Sequence, residues 1–161
     1  MTIYAKATTC SPETSKRDIE KTLLKYGVKE KMFADLQDRA MIEFLHKERR
    51  VRFTLPLPLQ GDPQFAKDQA KRSRTLNQRK AAWEQCHRQR WRAMYLAIKG
   101  KLEMVESGIC SFEQEFAAQI VLPDNRTVAD HVLPVIKQCY ETKQVLPMLS
   151  YGGPPAPAPE K

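Results

Sequence analysis

The apolar residues of this chain change rhythm several times between its start and residue 149, and each rhythm predicts an element. Over Thr2–Thr8, Ile3, Ala5 and Ala7 alternate with Tyr4 and Lys6, the period of a short strand with one buried face. A helix follows. Ser11 caps it, Pro12 suits its first position, Glu13 meets the positive end of its dipole, and Gly27 fits a left-handed stop after Tyr26. Its Ile19, Leu23, Leu24 and Tyr26 form one apolar stripe. From Lys31 the period falls to two, with Met32, Ala34 and Leu36 alternating before a polar turn at Gln37, Asp38 and Arg39. A strand is predicted over Ala40–His46 and a turn at Lys47, Glu48 and Arg49. In the next strand Val51, Phe53 and Leu55 alternate with Arg50, Arg52 and Thr54. These are two consecutive hairpins, ended by Pro56 and Pro58, which cannot donate to a ladder. One sheet face lies on a helix and the other carries Arg50 and Arg52.

The second half reads as helical. Leu59–Asn77 is polar, basic and short of apolar residues, the pattern of a mobile basic linker (59–77) with a helical turn near Phe65–Lys71. A long helix is predicted over Leu76–Glu106, where Trp83, Cys86, Arg90, Met94, Ala97, Ile98, Leu102 and Val105 recur mainly at helical spacing. Gly108 is its stop, and Gly100 marks a bend or a close helix contact. Ser111 and Gln114 form a capping box that opens a short helix bearing Phe112 and Phe116. After a tight turn at Val121–Asn125, Thr127 caps a last helix with Val128, Val132, Ile136 and Tyr140 on one face, and Pro134 is expected to kink or restart it. The tail YGGPPAPAPEK reads as disordered and Pro-rich (150–161). The expected fold is one α+β domain over 1–149. Its small antiparallel sheet (β-α-β-β-β start) is packed by a long helix and C-terminal helices.

Length and composition restrict this picture without changing it. A chain of 161 residues has room for one domain with a sizeable core. No stretch reaches the roughly 20 apolar residues of a membrane span, and MTIYAKATT lacks the apolar segment of a secretory signal. A soluble, intracellular protein with no membrane partner is expected. Cys10, Cys86, Cys110 and Cys139 are scattered with no CxxC pair, which favours reduced thiols packed as small hydrophobes.

Charge adds the main functional signal. Between Gln64 and Lys101 eleven Lys or Arg residues face two acids, Asp68 and Glu84, a local charge of +9. The whole chain is +8, so the remaining 16 basic and 17 acidic residues nearly cancel. A local basic strip interleaved with Trp83, Trp91 and Tyr95 points to a polyanion, nucleic acid first. An ordinary solvated helix mixes signs for i,i+4 support, and this one does not. The residues expected at the phosphates are Lys67, Lys71, Arg72, Arg74, Arg79, Lys80, Arg88 and Arg92, helped by Arg50 and Arg52 if their sheet face is open. Trp91 is the candidate for stacking on a base, whereas Trp83, with Met94 and Ile98, fits the core.

Catalytic and metal chemistry find little purchase. Cys86 and His87 are adjacent, and adjacent helical side chains point about 100° apart, a poor ligand pair. The acids Glu113, Glu115, Asp124 and Asp130 are explained by a helix start and a turn. No phosphate-cradling glycine loop is present. No catalytic residue, metal or cofactor is expected.

The segments MTIYAKATTCSPETSKRDIEKTLLKYG, VRFTLPLPL and RWRAMYLAIKGKLEMVESGICSFEQEFAAQIVLPDNRTV together resemble a group of small proteins encoded by tailed bacteriophages and prophages. The resemblance spans roughly Met1–Leu149, is loosest after Leu59, and carries no active-site motif. It implies origin alone: a phage protein acting in a bacterial cytoplasm. Two functions fit that origin. One is a nucleic-acid-binding accessory protein; the other is a non-enzymatic inhibitor that binds a host defence protein.

Overall fold

A computed structural model describes residue 5 and residues 7–149. The strand expected over Thr2–Thr8 lies largely outside the described residues; Ala5 and Ala7 fall in a turn closed by the Thr8 N–H on the Ala5 carbonyl at 3.1 Å. The tail 150–161 is outside them as well.

The first helix, α1, spans Pro12–Lys25 with Ser11 accepting the Thr14 N–H and Pro at its start. It stops where Gly27, at φ +79°, reverses the chain so that the Val28 N–H reaches back to the Leu23 carbonyl at 3.0 Å. Three antiparallel strands follow in sequence order: β1 Glu30–Asp35, β2 Arg39–His46 and β3 Arg49–Pro56. The second hairpin turns on two residues, Lys47 and Glu48, both at positive φ, so Arg49 pairs with His46 in the ladder rather than lying in the turn.

Register decides which face is buried. Phe33, Ile42 and Phe53 are opposite one another, as are Lys31, Phe44 and Val51, and this face meets the helices. On β1 the sequence pointed to Met32, Ala34 and Leu36; instead Phe33 packs on the core, while Met32 and Leu36 are exposed. The stripe of α1 shifts in the same way: Ser15, Ile19 and Leu23 are buried and Leu24 is not.

The long helix, α2, runs Leu76–Glu106. Thr75 and Gln78 close a reciprocal capping box at its start, and Gly108, at φ +70°, ends it with an Ile109 N–H bond to the Met104 carbonyl at 3.1 Å. Gly100 has open space where a side chain would be, so it marks no close helix contact. Trp91, Ile98 and Leu102 of α2 join Ile19 and Leu23 of α1 and the sheet in one core. A short helix, α3, Phe112–Phe116, seals its end. Phe116 meets Phe44 and Phe53 edge-on at 6.1 and 6.2 Å, and each such fully buried side chain contributes about 2–3 kcal/mol. Lys101 of α2 binds both the carboxylate and the backbone carbonyl of Glu115, tying α3 down.

Beyond α3 the chain returns to the sheet. Ile120 bridges Val51, and the Val121 N–H bonds the Arg50 carbonyl at 2.7 Å, a single extra rung on the edge of β3. The last helix, α4, spans Val128–Thr142 behind a Thr127–Asp130 capping box. It continues through Pro134 and buries none of its residues. Among the described residues no helix is long and apolar enough to cross a membrane.

Candidate nucleic-acid interface

The basic segment is organised around the start of α2. A turn at Pro63–Phe65 buries Phe65, and Lys67 then pairs with Ser73 in an isolated bridge. Between them, Asp68 accepts the Arg72 N–H at 2.8 Å and the Arg72 Nε at 2.8 Å. These two donors hold the Asp68 carboxyl below the usual carboxylate range. The Arg74 N–H closes the segment on the Ala66 carbonyl, and the Arg79 Nε donates to the Arg74 carbonyl at 3.3 Å. The hydrophobic anchor at Phe65 and the carboxylate at Asp68 thus present Lys67 and Lys71 to solvent on a folded turn. Lys80, one helical turn on, lies 4.0 Å from Glu84.

The other expected contacts are placed differently. Arg50 and Arg52 do lie on the outer sheet face, and that face is not open to them. Glu43 on β2 pairs with Arg50 at 3.3 Å and Arg52 at 2.7 Å. Above them the turn that follows Val121 brings Asn125, itself at φ +66°, over both guanidinium groups. Its Oδ1 accepts from Arg50 at 2.6 Å and Arg52 at 2.9 Å, and its carbonyl accepts from Arg52 at 2.9 Å. Arg92 pairs with Asp18 of α1 at 3.0 Å and covers the Tyr95 ring. These three arginines hold elements together.

Trp91 requires a correction: it is 2% exposed in the core and cannot stack on a base. With Met94, Tyr95, Ile98 and Leu102 it falls on the α2 face turned to α1, just over two turns (roughly 3.6 residues each) beyond the point where Trp83 sits. Trp83 is half-buried and outside the main core. Its Nε1 donates to the Pro58 carbonyl at 2.8 Å, and His87 packs on its ring at 4.4 Å. Trp83 lines a cleft of about 430 Å³ between the start of α1, the β1–β2 turn and α2, which Arg88 also lines. Arg88 itself donates to Gln85 Oε1 at 2.9 Å.

Other chemistry-bearing groups are accounted for locally. Cys110 is a free thiol whose pKa is pushed up by burial and by Glu115, which makes it a poor nucleophile. His131 meets Asp124 at 2.7 Å in the turn before α4, and no group of three or more metal-ligating side chains occurs among the described residues. Sequence reasoning missed Asn125 and Glu43 as the partners of Arg50 and Arg52. The dipeptide Asp124–Asn125 signalled a turn, and nothing local signalled what it would cover.

The fold and the surface together define a small α+β protein with a basic end at the start of its longest helix. No protein-family model, curated protein or solved structure matches the chain.

Proposed function

We propose that this protein binds nucleic acid through phosphate contacts, without strong sequence preference, as a phage-encoded accessory protein. The observation that carries this reading is the density of cations at one end of the molecule. Lys67, Lys71, Arg72, Arg74, Arg79 and Lys80 lie within one loop and the first turn of α2, with Asp68 the single acid in that interval. A polyanion docking there releases its counterions, so affinity falls as a power of salt concentration. The positive end of the α2 dipole adds to the same field.

The decisive measurement is anisotropy of labelled single- and double-stranded DNA and RNA at roughly 50 and 200 mM salt. Micromolar or tighter binding that weakens steeply at the higher salt is expected. No binding at the lower concentration would sink the proposal.

A second reading, a non-enzymatic inhibitor of a host defence protein, is favoured by α4 and the segment after it. Leu133 (61% exposed), Tyr140 (83%) and Val145 (93%) leave apolar surface there with no covering element among the described residues.

A further inference from the structure

We infer that the cleft beside Trp83 receives an unstacked base, which makes single-stranded nucleic acid the substrate class of the basic surface; this rests on the phosphate-binding reading above. Trp83 is positioned for it. Arg79 and Lys80 precede it by four and three residues on α2, so the cations and the ring share one stretch of helix surface. The platform is preorganised: the indole N–H and the His87 Nε2 both meet the Pro58 carbonyl, at 2.8 and 3.1 Å, and the two rings pack on each other. An aromatic surface already fixed in place loses little freedom when a base stacks on it.

The lining of the cleft separates base from backbone. Leu57 and the exposed Leu36 supply apolar surface. The charged lining is Glu13, Asp35 and Glu84 against Lys16 and Arg88, one acid in excess on a protein of +8. Lys16 is spent on Asp35 at 2.7 Å. With Lys80 4.0 Å from Glu84, such a lining gives phosphate no net attraction and offers carboxylate acceptors to amino groups, so the sugar–phosphate chain stays on Arg79 and Lys80 while a base enters. Cytosine, adenine and guanine carry an exocyclic amine to meet Glu13 or Glu84. Thymine and uracil present carbonyls instead. A duplex, its bases stacked and paired, cannot fill the cleft.

The test compares oligonucleotides of about a dozen residues, oligo(dC), oligo(dT) and a duplex of equal length, by anisotropy and by tryptophan emission. Oligo(dC) is expected to bind more tightly than oligo(dT) and the duplex and to quench Trp83. Trp83→Leu should weaken oligo(dC) binding about tenfold and leave duplex binding unchanged. Trp83→Phe keeps a stacking ring and leaves Trp91 as the sole emitter, so it should bind oligo(dC) within about twofold and show no quenching. If Trp83→Leu does not fold, the difference in quenching between wild type and Trp83→Phe decides. Equal binding of single strand and duplex with Trp83 emission unchanged would overturn the base cleft and leave the phosphate reading standing. Absence of binding to every polymer would remove both. Quenching of Trp83 by an arginine-containing peptide and by no oligonucleotide would overturn the inference in favour of a protein partner.

Discussion

At the scale of single residues, the nearest acceptor decides what each charged group does. Arg52 finds Glu43 and Asn125 and becomes structural; Lys67, exposed beyond the Phe65 anchor, does not. His46 shows the same dependence on surroundings for a titrating group. Its ring lies 4.6 Å from Phe112, and burial, with Lys47 beside it, lowers its pKa against a smaller opposing effect of Glu113. A histidine held neutral by the fold takes up its proton more readily when unfolded. The unfolded state therefore binds more protons as pH falls through about 6.5, and the stability present above that pH is lost below it. We expect the urea midpoint to drop between about pH 7.5 and 5.5, and His46→Phe, which keeps the ring against Phe112, to flatten that drop. A native His46 titration midpoint at or above the free-histidine value, read by NMR, would contradict the argument.

At the scale of elements, α4 shows how a broken rule is repaired. Pro134 has no N–H to give the Asp130 carbonyl, the acceptor four residues back, and the helix nonetheless continues from Val128 to Thr142. The Arg126 Nη2 supplies the missing donor, reaching that carbonyl at 3.0 Å. Arg126→Met should therefore open α4 in the wild type and be nearly neutral beside Pro134→Ala, where the backbone N–H is restored. Pro134→Ala alone should stabilise the helix by about 1–3 kcal/mol. Hydrogen exchange of the α4 amides across the four proteins measures the coupling; additive effects would refute it. The repair was not legible in the sequence, and the reason is physical. Caps, glycine stops and hairpins are short-range events, so Ser11, Ser111, Thr127, Gly27 and Gly108 announced their elements, whereas the Thr75 cap of α2 went unread. The face of β1 was not fixed locally because both its sides carry apolar residues, and pairing with β2 chose Phe33. The Ile120–Val51 rung and the Arg52–Asn125 bonds join residues some seventy positions apart with no periodic signature. In the candidate interface, the loop cations could be read from composition. The withdrawal of Trp91, Arg92, Arg50 and Arg52 into packing and ion pairs could not.

At the scale of the whole molecule, the charge of +8 divides into two populations with different work. One set joins elements: Arg92 links α2 to α1, Lys101 links α2 to α3, and Arg50 and Arg52 fasten the Asn125 turn to the sheet. The other, typified by Lys67, Lys71 and Lys80, stands on the surface at the start of α2 with weak or no intramolecular engagement beyond the 4.0 Å Lys80–Glu84 pair. Substitution should separate them cleanly. Arg52→Gln removes a guanidinium from a largely buried pair with Glu43 and from two bonds to Asn125, and should cost about 1–3 kcal/mol of stability with little change in nucleic-acid affinity. The triple change Lys67→Gln, Lys71→Gln and Lys80→Gln should leave the denaturant midpoint within about 0.5 kcal/mol of wild type, because exposed cations contribute little to folding. It should also lower the slope of log affinity against log salt by up to about three, one for each lost phosphate contact. Paired denaturation and salt-titration curves for the two variants read both quantities. If the triple variant kept the wild-type slope, the loop would not be the contact; if Arg52→Gln lost affinity while remaining folded, the sheet face would be the contact instead.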